Sequence, residues 1–352
     1  MRTRVTLLVL AAVVPVVIAA APAPEDQASH RLHVRFATMT IGGDGRVYLA
    51  SGVEKARSAV MRVNRDGAGR TEWNGPMYNS SAAANGFGMI ACALSSAVVL
   101  YDSEFNQRFV MGDICGPFRP NQFRAPLHIE AGAGGCFYAA DQHADRIARI
   151  TPLGQRDLLY PIPHGAEAGE RGNIHDFRVC EPTRRFHVAT LDGLIRCFDM
   201  NDPDKELWRL KTAIEFGNPE LGESKGGFDV DGQGILHVME RGRPVIKRYD
   251  SDGKPLEERA LQMGTRITDD ERYFALRVFA NEILLRRQHD TELFQRYDLT
   301  TGKFINAADI ADPHTAARPP LRVLYIGNSQ LGYLGHSIPA LITRVNRPSV
   351  TT

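Results

Sequence analysis

The sequence predicts an all-β fold, a six-bladed β-propeller with a short C-terminal strand-helix appendage. Three observations carry the prediction. Six short apolar runs rich in β-branched and aromatic residues recur along the chain, a second marker follows each of them on the same period, and residues 31–300 show no long 3.6-residue apolar periodicity.

The first marker is GRVYLA from Gly45, GMIACAL from Gly88, GCFYAA from Gly135, RFHVAT from Arg185, GILHVM from Gly234 and EILLRR from Glu282, with starts 43, 47, 50, 49 and 48 residues apart. The second is RVNRDG at Arg62, LYDSEF at Leu100, RITPLG at Arg149, CFDMND at Cys197, RYDSDG at Arg248 and RYDLTTG at Arg296, at intervals of 38, 49, 48, 51 and 48. Two independent markers on one period near 50 residues fall in the range of propeller blades. Asp-Gly pairs in GGDG (42–45), RDG (65–67), DGQG (231–234) and SDG (251–253) supply the positive φ that tight hairpins need. Four strands per repeat make each blade a small twisted antiparallel sheet. A lone blade cannot bury both faces, so residues 31–310 are expected to fold as one closed ring.

The N-terminus reads as an export signal over residues 1–20. Arg2 and Arg4 form a positive n-region, residues 5–18 are apolar apart from Thr6 and Pro15, and Ala19, Ala20 and Ala21 offer small residues to a peptidase. Ala20 is the better scissile position, because cleavage after Ala21 or Ala23 would place Pro22 or Pro24 directly downstream. The apolar stretch is short for a membrane span, which takes about 20 residues, and no second such run follows. The expected location is therefore periplasmic or extracellular, with no transmembrane segment after cleavage.

Composition narrows the partners. With 42 basic residues against 41 acidic ones and a formal charge of +1, nothing marks a nucleic-acid footprint or a polybasic membrane patch. Cys92, Cys115, Cys136, Cys180 and Cys197 stand apart, with no C-x-x-C and no Cys/His cluster, so no metal site and no cofactor is expected. Cys92, Cys136 and Cys197 lie inside apolar runs and read as small buried hydrophobes. Trp73 and Trp208 read as fillers between blades, and Asp141, His143 and Asp145 as a solvated hairpin loop.

The third repeat, APLHIEAGAGGCFYAADQHADRIARITPLG over 125–154, resembles an NHL-type propeller repeat: Pro126 opens the inner strand, Gly135 sits in the turn, Tyr138, Ala140 and Asp141 lie in the second strand, Ile147 in the third, and Gly154 closes. The fifth repeat keeps GFDVDGQGILHVMERGRPVIKRYDSDG. The resemblance implies the fold and leaves activity open, because propellers host unrelated functions.

A Pro-rich linker, residues 311–320, precedes a different segment, 321–352. Residues 321–326 form a compact apolar run, Gly327-Asn328-Ser329 a turn, and Ile338, Leu341, Ile342 and Val345 fall at helical spacing. Strand, serine-bearing turn and helix resemble the opening block of SGNH (GDSL-like) hydrolases. That resemblance implies Ser329 as the catalytic nucleophile, with its own N–H as one oxyanion-hole donor. The chain ends 23 residues after Ser329, short of the later Gly and Asn and of the C-terminal Asp-x-x-His that the family requires. A serine without a positioned base is a weak nucleophile. Three readings of the tail stay open: a truncated hydrolase domain, an appendage packed on the ring, or a strand of a seventh blade.

Inner strands line a propeller's channel, and His128, His175 and Asp176 stand early in their repeats, so these three are the candidate channel ligands. The functional reading is an exported β-propeller binding or scaffold protein, non-enzymatic as the chain stands, engaging an unknown ligand or protein on one face. The alternative is part of an SGNH-type serine ester hydrolase acting on carbohydrate or lipid esters.

Overall fold

The computed structural model describes residues 38–51, 59–74, 81–94, 96–112, 123, 126–141, 144–162, 174–190, 193–214, 226–240, 243–262, 273–287 and 292–309. The expected signal peptide, the Pro-rich linker and the tail with Ser329 lie outside them, as do Cys115 and His143. The described residues form six four-stranded sheets, each an antiparallel meander in which four consecutive strands pair in chain order. The six sheets are the six blades, and the chain is nearly all β.

The inner strands are Thr38–Ile41, Ser81–Ala84, Pro126–Ala131, Ile174–Cys180, Gly226–Val230 and Tyr273–Phe279. Each contacts the inner strand of the next blade, and the sixth returns to the first, which closes the ring. The second strands are Val47–Ser51, Ile90–Ala93, Phe137–Asp141, Arg185–Thr190, Leu236–Glu240 and Glu282–Arg287. The apolar part of each first-marker run falls in these second strands, with the opening glycine of four of them in the preceding turn, and the second marker falls at the end of the third strand and its turn in every blade. The repeat is therefore structural.

The strands form because both faces of each blade are apolar and covered. Tyr48, Ala50, Ile90 and Cys92 pack between the first two blades, Ala91, Ala93, Phe137 and Ala139 between the next two, and Tyr138, Ala140, Phe186 and Val188 between the third and fourth. The larger of these side chains, such as Ile90, Phe137, Phe186 and Val188, each contribute on the order of 1.5 to 3 kcal/mol on burial, and the alanines less. Trp73 stacks on Phe105 with ring centroids 5.0 Å apart, and Trp208 donates its indole N–H to Ser251 O at 2.8 Å, so both tryptophans bridge neighbouring blades as expected. Cys92 and Cys197 are buried and Cys136 half-buried; Cys92, Cys136, Cys180 and Cys197 are all free thiols.

One expectation needs correction, and one irregularity in the repeat needs explaining. Asp141 is fully buried, not solvated, and its Oδ2 accepts bonds from Arg146 at 2.9 and 3.1 Å, an ion pair that offsets the cost of burial. The marker starts are also not all equivalent. Cross-blade packing aligns Gly45, Gly88, Gly135 and Gly234 with Arg184 and Asn281, one residue before the Arg185 and Glu282 starts. The cause is turn length: the first hairpin turns take five residues, the fourth takes four, and the sixth takes two. Positive φ at the two irregular turns is carried by Arg184 (56°) and Ala280 (52°) where the other blades use glycine.

The last blade is built from residues 273–287 and 292–309, and among the described residues no strand is exchanged with the first. Among the described residues closure rests on side chains. Arg277 Nε donates to Met39 O at 2.6 Å, Arg65 pairs with Glu282 at 3.1 Å and lies over the Phe279 ring, and Asn306 donates to Asp66 O at 3.3 Å.

Candidate functional site

Strand pairing sorts the channel-side residues of the inner strands into two tiers, one residue per blade. The residues opposite Tyr48, Ala91, Tyr138, His187, His237 and Leu284 are Thr40, Ala83, Glu130, Arg178, Asp229 and Arg277. Two residues earlier, nearer the face from which the blade-to-blade connectors leave, stand Thr38, Ser81, His128, Asp176, Gly227 and Ala275. Blades three to six thus supply alternating carboxylates and guanidiniums, while blades one and two supply hydroxyls and a methyl group.

The charged residues converge. Arg277 Nη2 donates to Glu130 Oε1 at 2.7 Å, joining blade six to blade three across the channel, and its Nη1 lies 3.3 Å from Asp229 Oδ1. Arg178 Nη1 donates to Asp176 Oδ1 at 2.6 Å and stands 3.3 Å from Glu130, its Nε lies 3.1 Å from Asp229 Oδ1, and its guanidinium covers the Phe228 ring. His128 Nε2 sits 2.8 Å from Glu130 Oε1 and 3.2 Å from Asp176 Oδ1. Asp229 Oδ2 accepts the Val278 N–H at 2.6 Å. Gly227 permits this convergence on one side, since a Cβ there would lie 2.8 Å from Leu276 N.

Burial and pairing oppose each other at every carboxylate. Burial works to raise Glu130, but Arg277, Arg178 and the His128 bond outweigh it and hold the carboxyl at about 2. Burial likewise works against Asp176, and Arg178 and His128 hold it well below the usual range. At Asp229 burial wins over Arg277 and Arg178, with the Glu130 charge adding to it, and the carboxyl is raised. Burial would lower Arg178, but Asp176, Glu130 and Asp229 together push it up. Such a cluster is costly to desolvate and holds its geometry tightly once paired.

Of the three candidate channel ligands, the structure brings His128 and Asp176 together and leaves Asp176 the most open member of the network, its side chain 22% exposed. His175 is buried beside a bulge in the same strand. Among the described residues no group of three or more His, Cys, Asp or Glu is disposed to hold a metal ion. The lone pairs of the channel carboxylates face guanidiniums instead. Sequence reasoning missed Glu130, Arg178, Asp229 and Arg277, yet they stand 48, 51 and 48 residues apart, the spacing of the strand markers themselves. His187 is a different case: fully buried near Trp208, with neither ring nitrogen bonded, its pKa is lowered by burial and then by Arg185 to about 3, which makes it a neutral core residue.

No family model matches the chain, and no curated protein matches it in sequence. Solved structures share its fold. A protein of unknown function from Bacteroides caccae aligns at a TM-score of 0.53 and 12% identity, over 75% of this chain and 93% of that one. The β-propeller domain of Cps50 (Swd1) from Myceliophteria thermophila aligns at 0.51 and 11%, over 78% and 87%. A virginiamycin B lyase from Staphylococcus aureus aligns at 0.47 and 14%, over 73% and 79%, a likeness too distant to bear on activity.

Proposed function

We propose that the chain is an exported β-propeller of NHL-type repeats that serves as a non-enzymatic binding or scaffold protein, with a ligand or protein partner engaged at the connector face of the channel. The observation that carries this reading is the orientation of the channel network. Its deep members, Glu130, Arg178, Asp229 and Arg277, lie within ion-pairing distance of one another and form a charged floor, while Asp176 and His128 occupy the tier toward the connectors. That face also receives the longer links: 113–125, 162–173, 212–225 and 261–272 join successive blades, whereas the hairpin turns after the inner strands take two to five residues. Longer loops on a rigid scaffold are where recognition usually resides.

Export rests on residues 1–20, and the test is N-terminal sequencing of the protein recovered from the periplasm or medium. A mature start at Ala21 is expected; retention in the cytoplasm at full length would overturn export. For binding, a thermal-shift panel of saccharides, peptides and small acids should yield a ligand class whose effect falls in Asp176→Asn without loss of the ring's own melting transition. A panel that shifts Asp176→Asn and the parent alike would move the site elsewhere.

The second reading, part of an SGNH-type serine ester hydrolase, is favoured by the LYIGNS strand-turn motif around Ser329. It predicts short-acyl-ester turnover abolished by Ser329→Ala. The non-enzymatic reading predicts background rates for both proteins, because a serine that no base activates and no oxyanion hole assists forgoes two contributions each worth orders of magnitude.

A further inference from the structure

On the opposite face, away from the channel tiers, a cavity of about 540 Å³ lies between blades five and six. Its volume is in the range of small-molecule sites. Ile235, Val278, Phe279 and Leu299 supply an apolar wall, and Arg248 and Arg259 line the same space. The Nε of each arginine is buried and has no hydrogen-bond partner. Two guanidiniums beside an apolar wall suit an anion that carries an apolar body.

The neighbouring carboxylates make no close hydrogen bond to either guanidinium. Asp231 accepts from His237 Nε2 at 3.0 Å and from the N–H groups of Gln233 and Ile235 at 2.9 and 3.0 Å, so it is committed to its own turn. Asp298 is committed to Thr301 N at 2.6 Å and to Asn281 Nδ2 at 2.8 Å. Glu257 stands 4.0 Å from Arg259 but extends into solvent, a weak contact. The wall is also fixed in place. Gln262 N donates to Gly302 O at 2.7 Å across the two blades, and a Cβ on Gly302 would sit 2.0 Å from Ala260 O, so only glycine allows the seam to close this tightly.

We propose that this cavity is a binding site for a small organic oxyanion, a carboxylate or phosphate carried on an apolar body. The oxyanion bonds the Arg248 and Arg259 guanidiniums, and the apolar body lies against Phe279, Val278 and Leu299. Guanidinium forks match such groups in geometry as well as charge.

The test is calorimetric or NMR titration of the full chain with benzoate, phenyl phosphate, inorganic phosphate and neutral benzamide, each to ~10 mM. Benzoate or phenyl phosphate should bind, inorganic phosphate should bind more weakly for want of the apolar contact, and benzamide should not bind. Which of the first two binds tighter separates a carboxylate site from a phosphate site. Arg248→Gln and Arg259→Gln should each weaken binding by roughly tenfold, the scale of one charge-assisted hydrogen bond, in proteins whose melting temperature is unchanged. Equal binding of benzamide and benzoate, indifference to both substitutions in folded protein, or no binding of either aromatic anion would overturn the proposal. The benzoate–benzamide contrast needs no variant and stands even if a substitution impairs folding.

Discussion

Blades one and two build their part of the channel differently from blades three to six. In the first pair the inner strands present Thr38, Thr40, Ser81 and Ala83, and the links are short and local: Thr40 Oγ1 donates to Ala82 O at 2.6 Å, and Ser81 Oγ accepts the Ile129 N–H at 3.2 Å. In the other four, long charged side chains reach past their neighbours, and Arg277 crosses to Glu130. The small residues leave the room that the long ones fill. The centre of the ring is thus occupied by side chains from one arc of blades. Its polarity is a property of that arc alone, and so should be its sensitivity to substitution.

The largest expected effect is in the charged arc. Arg277→Ala removes a partner from both Glu130 and Asp229 and leaves buried carboxylates uncompensated, a loss of about 3 to 5 kcal/mol in denaturant unfolding. An effect under about 1 kcal/mol would mean that water already screens the network and that the contrast between the two arcs is only compositional.

An intermediate effect should follow pH. Glu130 is held at about 2 against an ordinary value of 4.5, so its stabilisation is complete above about 4.5 and is lost as the pH falls through about 2. Asp176 acts in the same direction. Asp229, whose carboxyl is raised, gains a proton more readily folded than unfolded and offsets part of the loss. The melting temperature should therefore decline as acid is added below pH 4.5, and Glu130→Gln should flatten that decline while lowering stability at pH 7. A Glu130→Gln profile parallel to that of the parent would assign the acid sensitivity to other carboxylates.

The smallest effect belongs to the other arc. Thr40→Val deletes one hydroxyl bond and keeps the shape, for about 1 kcal/mol. If it proved as costly as Arg277→Ala, the small-residue arc would be as critical as the charged one, and the comparison would fail.

The second strands were legible because they combine a turn glycine with a fully buried apolar run, a pattern that both burial and backbone geometry enforce. Their register was legible except where Arg184 and Ala280 adopt the glycine's conformation in shorter turns, since nothing in those residue types announces a positive φ. The inner strands were harder to read. Glu130, Arg178, Asp229 and Arg277 look like surface residues one at a time and acquire meaning only when the blades are laid over one another. His128 and Asp176 could be singled out by position, but their shared contact could not, because it joins residues 48 apart on the inner strands of two neighbouring blades. Likewise Arg248 was visible only as part of a strand marker, and the cavity it lines depends on a seam between two blades.

Among the described residues the first and last blades share no strand and meet through side chains, so no blade is marked out as the starting point. In a closed propeller that borrows a strand, the termini are stitched into one sheet, and moving them breaks it. Here every blade is an uninterrupted cassette of the gene, so the linear order of the cassettes matters only as a cyclic sequence. A circularly permuted gene opened at any connector would encode the same neighbours, with the present seam at Arg65, Glu282 and Arg277 becoming one internal boundary among six. The same property favours growth and loss of blades by duplication and deletion of whole cassettes, and it gives the charged arc of blades three to six the status of a unit that could be inherited together.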